Sequence, residues 1–429
     1  MSELQIALSV FAVTYALIIS EKVHKTTVAL AGSMTIVALR VLDTEQAFEA
    51  IHLDVIFLLT GMMVIANTMA GTGVFRWMAI SAAKVANGNP LRVLILLYTI
   101  TAVASAFLDN VTTVVLIAPV TLVVADTLGV KVVPMLIAEV LASNIGGTAT
   151  LIGDPPNILI PSHADIDFVT FLWHVGPAAV LSLIAYLAGL RWLFGNQLQG
   201  SAEARERVMQ IDDSQLITDV RLLRITGAVM VAVMVGFLFQ GPLGYEPAAV
   251  ALMGAAALML ITGHDPHEML RKVEWSTLFF FIGLFIGGGG LEEVSLLEDI
   301  GEWATEVTGG SVVAASMLIM WMSAILSGLS GFVDNIPYTA TVLPIVDEMR
   351  HGLDGPTSPD VLWWSLAIGA DMGGNLTVVA ASANVLVANL AARNGHRITF
   401  MEFFRYGAIT TAGTMTTSSG YIWLRYLAF

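Results

Sequence analysis

Long apolar runs separated by short polar stretches dominate this chain. They predict membrane spans near residues 3–20, 26–42, 54–73, 134–160 and 169–194, then near 222–240, 246–262, 274–291, 361–391 and 401–427. Several runs approach the ~20 residues that an α-helix needs to cross a bilayer. An extra apolar pair in each half, 91–128 and 311–350, is interrupted at its middle by Asp-Asn. Each pair predicts a re-entrant hairpin, whose turn must be covered by protein or water.

Two polar motifs repeat in the same order along the chain. Ser105-Ala-Phe-Leu-Asp-Asn110 recurs as Ser330-Gly-Phe-Val-Asp-Asn335, and Gly146-Gly147, Thr150 and Asn157 recur as Gly373-Gly374, Thr377 and Asn384. Because each half holds an odd number of predicted spans, the second copy enters the membrane upside down, as in many secondary transporters. We therefore predict inverted repeat 1 at 1–194, a cytoplasmic linker at 195–221 and inverted repeat 2 at 222–429. The fold class is an all-α polytopic membrane protein with about ten transmembrane helices, two re-entrant hairpins and two broken helices.

Composition agrees with a membrane protein and excludes several kinds of chemistry. The 429 residues are 56% hydrophobic and 12% charged, against about 25% charged residues in soluble domains. With no cysteine, thiolate metal sites, disulfides and cysteine nucleophiles are excluded. The net charge of −15 is spread over loops without a block of like charge, so no nucleic-acid partner is expected. No nucleophile, metal cluster or cofactor motif stands out, so we expect neither an enzyme nor a bound cofactor or metal.

The distribution of lysine and arginine predicts the orientation. On the predicted topology, 16 of the 19 basic residues fall on one face, and only Arg40, Arg350 and Arg425 lie on the other. The basic face of an inner-membrane protein is normally cytoplasmic. Both termini are therefore predicted to be extracytoplasmic. The first apolar run has no basic residue before it and no cleavage site after it, so it is expected to be a retained span.

The hairpin tips are the first candidate site. Asp109, Asn110, Thr112 and Thr113 interrupt one hairpin, and Asp334, Asn335 and Thr339 interrupt the other. A carboxylate at the bilayer centre costs ~3 kcal/mol on insertion scales, so its presence at equivalent places in both halves favours a function. The alternative is a structural role as a cap of a turn or half-helix.

Two glycine-rich segments are the second candidate site. Asn144-Ile-Gly-Gly-Thr-Ala-Thr-Leu-Ile-Gly-Asp-Pro-Pro-Asn157 holds three glycines and two prolines, so it cannot form an unbroken helix. An unwound stretch exposes amides and carbonyls that can bind a small solute. The equivalent segment runs from Asp371 to Asn384, where Asp371 matches Asn144 and Ala381 matches Asp154. The candidate binding residues are Asn144, Gly146, Gly147, Thr148, Thr150, Asp154, Asn157, Asp371, Gly373, Gly374, Asn375, Thr377 and Asn384, with the glycines allowing close backbone approach.

Four carboxylates thus fall on interrupted elements, and those segments contain no lysine or arginine. They are Asp109, Asp154, Asp334 and Asp371. Desolvation disfavours the charged form of a carboxylate, so at least one of the four is expected to carry coupling protons, with Asp109 and Asp334 at the hairpin tips as the preferred carriers.

At these motifs the sequence resembles the ion transporter superfamily, within it the branch of arsenite efflux permeases and the melanosomal P protein. The resemblance rests on Asn144 to Asn157 and on Ser330-Gly-Phe-Val-Asp-Asn-Ile-Pro-Tyr-Thr339. It implies an elevator-type carrier with a scaffold and a moving transport domain, and binding at the hairpin tips and broken helices. Related dicarboxylate carriers have Ser-Asn-Thr where this chain has Asp-Asn, and the added charge argues against dicarboxylate transport.

Two functions remain open on the sequence. The first is proton-coupled efflux of arsenite or antimonite, which are uncharged trihydroxides at neutral pH. The second is sodium/proton antiport on the same carboxylates and carbonyls. A dicarboxylate or other small-anion carrier, a channel and a membrane enzyme fit less well. The expected partners are a small inorganic solute, coupling protons or sodium and the lipid bilayer, with a cytoplasmic ATPase and a second copy of the chain as further candidates.

Overall fold

The structure, a computed structural model, describes residues 2–20, 22–195, 202–211, 213, 215–294, 296–329, 335–353 and 357–428. Helices make up this described part, and it contains no β-strand. Polar side chains set many helix starts: Asp167, for example, accepts a hydrogen bond from the Thr170 amide and begins a long helix at Phe168. Such caps satisfy amides that have no partner within the helix.

The helices of the first half precede the linker. They are α1 Glu3–Ile19, α2 Lys25–Ala38, α3 Thr44–Glu49, α4 Leu53–Gly71, α5 Val74–Val85, α6 Pro90–Ser105, α7 Asn110–Leu128, α8 Val132–Gly147, α9 Pro156–Ala164 and α10 Phe168–Phe194. A short helix, α11 Ala202–Met209, lies within the linker predicted at 195–221.

The helices of the second half follow in the same order of long and short elements. They are α12 Val220–Leu243, α13 Pro247–Thr262, α14 Pro266–Leu270, α15 Trp275–Glu292, α16 Leu296–Val307, α17 Val312–Leu329, α18 Asn335–His351, α19 Val361–Gly373, α20 Ser382–Arg393 and α21 Phe400–Ile422, ending in a π-helical turn Trp423–Leu427.

The predicted interruptions are confirmed where the structure describes them. The run predicted at 134–160 divides into α8 and α9, and the run at 361–391 divides into α19 and α20. The apolar pair 91–128 divides into α6 and α7 at the Asp-Asn step. The sequence pattern did not predict α5 and α16, because both are amphipathic and too polar to read as spans. The acidic residues between Leu296 and Val307 therefore lie on a helix.

One group of helices pairs the two halves through close contacts of small residues. α2 packs on α15, and α4 packs on α13. A Cβ added at Gly61 of α4 would lie 2.6 Å from the Ala251 carbonyl carbon, and one at Gly283 of α15 would lie 2.7 Å from the Ala29 carbonyl carbon. Backbones approach this closely only where side chains are absent or small, which is how membrane helices commonly associate.

A second group contains the hairpins and broken helices. α6 packs on α8, α17 on α19, α7 on α20 and α18 on α9. This group therefore interleaves elements of the two halves, and it brings all the described polar motifs into one region.

Membrane insertion follows from helix length and composition. Among the described residues, five helical stretches are long and apolar enough to cross a bilayer: Thr44–Gly71, which includes α3 and α4, Asn110–Leu128, Phe168–Phe194, Val220–Gly241 and Trp275–Glu292. A sixth is obtained if the bent pair Leu296–Val307 and Val312–Gly328 forms one span. Further apolar helices among the described residues are shorter, with 10–17 residues each. The chain is a multi-pass membrane protein, and the number of ten spans stays a prediction.

Candidate functional site

The first hairpin tip is built around a helix cap. The Asp109 carboxylate accepts a 2.8 Å hydrogen bond from the Thr112 amide and a 2.5 Å bond from the Thr112 hydroxyl. This is the geometry of an N-cap, and it begins α7 at Asn110. The capping alternative raised by the sequence therefore describes Asp109 in this structure, and a coupling role for it stays a prediction. Its predicted counterpart Asp334 lies outside the described residues.

An asparagine side chain holds each broken helix at its break. The Asn157 amide group donates to the carbonyls of Gly147 and Thr150, both at 3.2 Å. In the other half the Asn384 amide group donates to the carbonyls of Gly374, at 2.7 Å, and Thr377, at 2.8 Å. These bonds satisfy carbonyls that lost their helical partners when the chain unwound.

Threonines fix each unwound stretch to the neighbouring hairpin. The Thr150 hydroxyl donates to the Ala106 carbonyl at 2.5 Å, and the Thr377 hydroxyl donates to the Gly328 carbonyl at 2.9 Å. The backbone N–H of Asn110 also donates to the Gly153 carbonyl. Each half thus uses the equivalent threonine to fix a hairpin helix beside a broken helix.

Asp154 lies at the centre of the site and joins the two halves. One carboxylate oxygen accepts a 2.5 Å hydrogen bond from the Asn110 side chain at the start of α7, and the other accepts a 3.2 Å bond from the Asn335 side chain at the start of α18. Asp154 is 1% exposed, Asn110 is 3% exposed and Asn335 is 2% exposed. A buried carboxylate needs such donors, because it would otherwise lose its hydration without replacement.

A chain of asparagines extends from Asp154 into the second broken helix. The Asn110 side chain also donates to Asn144 Oδ1 at 3.3 Å. The Asn144 amide group in turn donates to Asn375 Oδ1 at 3.2 Å and to Asn384 Oδ1 at 3.1 Å. Residues predicted separately at a hairpin tip and at two broken helices are thus connected in one network.

Asp371 occupies a different environment from Asp154. It is fully buried at the end of α19, and neither carboxylate oxygen accepts a hydrogen bond from the described residues. Thr148 and Asn157 are the side chains that face it.

The remaining predicted residues form local hydrogen bonds within their own segments. The Thr148 hydroxyl donates to the Asn144 carbonyl, and the Thr339 hydroxyl donates to the Asn335 carbonyl. The buried Thr113 hydroxyl has no partner among the described residues.

The predicted glycines mostly allow helix packing. A Cβ at Gly146 would lie 2.1 Å from the Ala102 carbonyl oxygen, and one at Gly373 would lie 2.7 Å from Ala324 Cα. A Cβ at Gly147 would lie 2.6 Å from the Gly153 carbonyl oxygen, inside the unwound stretch. Contact of these glycines with a solute stays a prediction.

Sequence reasoning missed two residues next to this site. Glu139 of α8 is fully buried beside Thr121, and neither of its carboxyl oxygens has a partner among the described residues. In the sequence, Glu139 is an acidic residue inside an apolar run, and such a residue in a membrane span indicates a functional role. Lys25 of α2 donates a 3.0 Å hydrogen bond to the Ser382 hydroxyl at the start of α20. That contact depends on packing between distant helices and leaves no sequence signal.

A cavity of about 710 Å³ is lined by residues of α1, α2, α7 and α20. Residues at its wall include His24, Lys25, Pro119, Ser382 and Arg393. It therefore runs between the first helix pair and the helices α7 and α20, and it reaches the residue that begins α20.

At the start of α15, burial and the nearby Asp109 carboxylate raise the pKa of Glu274, while Lys25 opposes the shift.

Comparison with known proteins identifies the family. Residues 15–369 match CitMHS, described as the citrate transporter family. The chain belongs to this family. It is 47% identical to an uncharacterized transporter of Mycobacterium tuberculosis over 425 residues, which cover 98% of each chain.

The P protein of Homo sapiens is a more distant relative. It is 32% identical over 488 residues, which cover 95% of this chain and 58% of that protein. The predicted resemblance to the melanosomal P protein, and through it to the ion transporter superfamily, is confirmed. This family member is therefore a transporter of that superfamily.

A solved structure agrees on the fold. The crystal structure of the Alcanivorax borkumensis YdaH transporter matches with a TM-score of 0.61 and 14% sequence identity, covering 93% of this chain and 97% of that chain. At this identity the match concerns the fold alone. It supports an all-helical transporter architecture for this member of the citrate transporter family.

Proposed function

We propose that this chain is a secondary active transporter that exports arsenite or antimonite across the cytoplasmic membrane in exchange for protons. One observation carries the proposal: a central carboxylate is held between amide groups from both halves, in segments without lysine or arginine. Such a site favours a neutral or cationic solute over a free anion, because no basic side chain in these segments offsets the carboxylate charge.

The asparagine network suits an uncharged, hydroxyl-bearing solute. Hydrogen bonds between neutral groups contribute only about 0.5–1.5 kcal/mol net. A trihydroxide both donates and accepts, so it can replace bonds such as Asn144 to Asn384 at little cost. Exchange of one set of neutral bonds for another allows release as well as binding, which a carrier requires.

The family description raises citrate as an alternative. A free citrate anion would meet the Asp154 carboxylate, which disfavours it at the centre of the site. Lys25 and Arg393 at the cavity wall could attract an anion on approach, but neither belongs to the asparagine network. Citrate is therefore one of the three solutes in the vesicle uptake experiment.

Sodium/proton antiport is the second candidate. The observation that favours it is the excess of carboxylate, amide and carbonyl oxygens over basic groups at the hairpin and broken-helix segments. Hard cations prefer oxygen ligands.

We further propose that the helices carrying the site move as one body. The group α6 to α9 with α17 to α20 is tied together by side-chain bonds across the halves. The pairs α2 with α15 and α4 with α13 would be the scaffold against which this group moves. The proposed orientation keeps both termini outside the cell and the linker on the cytoplasmic side.

Uptake into everted membrane vesicles tests the proposal. Vesicles containing the protein are loaded at acidic pH and diluted into neutral buffer with arsenite, sodium or citrate. We expect saturable arsenite accumulation that collapses with the pH gradient and is lost in Asp154→Asn. The control Asp126→Asn, an exposed residue of α7, should transport like wild type. Accumulation of sodium or citrate without arsenite would replace the proposed cargo, and flux independent of the pH gradient would remove proton coupling.

A further inference from the structure

The two broken helices carry equivalent hydrogen bonds, with one exception. In one half the Asn144 amide group donates to Asn384 Oδ1 at 3.1 Å and to Asn375 Oδ1 at 3.2 Å. The repeat places Asp371 at the position equivalent to Asn144, and it places Asn157 and Thr148 at the positions of Asn384 and Asn375. Asp371 indeed faces Asn157 and Thr148. An amide group with two hydrogens is thus replaced by a carboxyl group.

Both neighbours lie close enough to influence Asp371, but in this structure neither donates a hydrogen bond to it. Both hydrogens of the Asn157 amide group are engaged, one by the Gly147 carbonyl and the other by the Thr150 carbonyl. The Thr148 hydroxyl donates to the Asn144 carbonyl at 3.0 Å. Asp371 therefore faces acceptor atoms, and Asn157 Oδ1 is itself buried without a donor among the described residues.

An ionised carboxylate in this position would be unfavourable. Asp371 and Asn157 are both fully buried, and among the described residues Asp371 forms no ion pair. A buried charge without donors loses its hydration and gains nothing in return. One proton on the carboxyl group removes the charge and supplies the missing donor.

We propose that Asp371 carries the transported proton and donates it to Asn157 Oδ1. The O–H bond takes the place of the Asn144 N–H in the equivalent half, so protonation completes the same set of hydrogen bonds. The proton joins α19 of the second half to α9 of the first. Loss of the proton leaves a charge opposite acceptor oxygens and opens this contact. The assignment rests on the proposed proton coupling and names its carrier.

The other titratable groups on the packed helices do not compete for this contact. α17 carries none within its described length. The groups on the remaining neighbours of α19 that bear on the experiment are Glu139 on α8, Asp154 before α9, Tyr186 on α10, Tyr338 on α18 and Tyr406 on α21. Asp154 already has two amide donors, and the Tyr186 and Tyr338 hydroxyls donate to Ala138 and Ser323. His163, Asp347 and Arg350 bond to one another at the helix ends.

Glu139 is the group that must be controlled, since it is also buried without a partner for its carboxyl oxygens among the described residues. The experiment therefore compares Glu139→Gln with Glu139→Gln/Asp371→Asn, purified in detergent without any cargo. Asparagine at this position has the donor hydrogens of Asn144, so we expect the double variant to fold. Asp126→Asn in the same background is the matched control for loss of a carboxylate.

Infrared spectroscopy and thermal unfolding give the decisive readouts. We expect a protonated-carboxyl band at neutral pH in Glu139→Gln and in the Asp126→Asn control, and its loss in the Asp371→Asn variant. The melting temperature should fall at alkaline pH while Asp371 is present, and Asp371→Asn should abolish that fall. In Asn157→Ala the band should shift to that of a carboxyl group without an acceptor, which provides a reading even if Asp371→Asn does not fold.

A carboxyl band unaffected by both Asp371→Asn and Asn157→Ala would overturn the assignment. So would selective stabilisation by sodium over potassium that disappears in Asp371→Asn, because a cation would then fill the place given to the proton. These measurements need no cargo. Failure of arsenite transport with the band intact would reject the proposed substrate alone, whereas proton-driven transport without the band would reject only Asp371 as the carrier.

Discussion

The clamp on Asp154 gives the sharpest test of how the two halves are held together. Removing the side chain of Asn335 deletes the 3.2 Å hydrogen bond to one carboxylate oxygen. A hydrogen bond to a charged group contributes about 1.5–3 kcal/mol, which is roughly 10- to 150-fold in the unfolding equilibrium. We therefore expect Asn335→Ala to destabilise the protein by about that amount when Asp154 is present.

A double-mutant cycle separates this bond from other effects of the substitution. In an Asp154→Ala background the Asn335 side chain has lost this acceptor, so Asn335→Ala should cost about 1.5–3 kcal/mol less than in wild type. Alanine is a natural choice, because Ala381 occupies the equivalent position of the other half. Asp126→Ala provides the control background, in which the two substitutions should be additive to within about 0.5 kcal/mol.

Equilibrium unfolding in mixed micelles, followed by tryptophan fluorescence, supplies the four free energies of the cycle. The expected coupling depends on a charged carboxylate that is buried and clamped. A coupling energy below about 0.5 kcal/mol would show that Asp154 and Asn335 act independently, and the description of a clamp between the halves would then be wrong.

Three further outcomes can be checked by the same unfolding measurement. Gly146→Ala should cost about 1–3 kcal/mol, because its Cβ would lie 2.1 Å from the Ala102 carbonyl oxygen. The control Gly227→Ala, with open space around the added Cβ, should be neutral or stabilising by up to about 1 kcal/mol. Equal effects of the two substitutions would refute the packing argument. Asn384→Ala should cost about 1–3 kcal/mol, because it removes the hydrogen bonds to two buried carbonyls, Gly374 and Thr377. Asn384→Asp should not restore both bonds, and an unchanged stability would refute the role of this side chain. Burial and the nearby Asp109 carboxylate raise the pKa of Glu274 above its ordinary value of 4.5. Protonated Glu274 therefore favours folding at acidic pH, and that contribution is lost as the pH rises. Glu274→Gln should flatten this part of the profile of stability against pH, and an unchanged profile would refute the assignment.

Local features of the fold could be predicted because they leave local marks. Two consecutive prolines cannot sit in the interior of an unbroken helix, so Pro155 and Pro156 made the break between α8 and α9 visible in the sequence alone. Asp-Asn within an apolar pair marked the start of α7. The amphipathic helices α5 and α16 were not predicted, because neither is long and apolar enough to resemble a membrane span.

The partners within the candidate site could not be predicted in the same way. Asp109 and Asp154 look alike in the sequence, yet one caps a helix through Thr112 and the other is bonded by asparagines from both halves. That difference arises from packing between segments far apart in the chain. The comparison of the repeats showed that Asp371 stands where the first half has Asn144. Only the geometry shows which atoms surround the Asp371 carboxyl group.

The asparagines that bridge the two breaks make each interruption a brace instead of a hinge. The Asn157 and Asn384 side chains each donate to one carbonyl at the end of the first half-helix and to one inside the unwound stretch. These bonds hold the two half-helices at a fixed separation and angle. If this group moves as proposed, bending is expected in the connections outside it. A transporter built in this way would carry its binding residues across the membrane with their mutual geometry unchanged, and cargo recognition would be the same when facing either side.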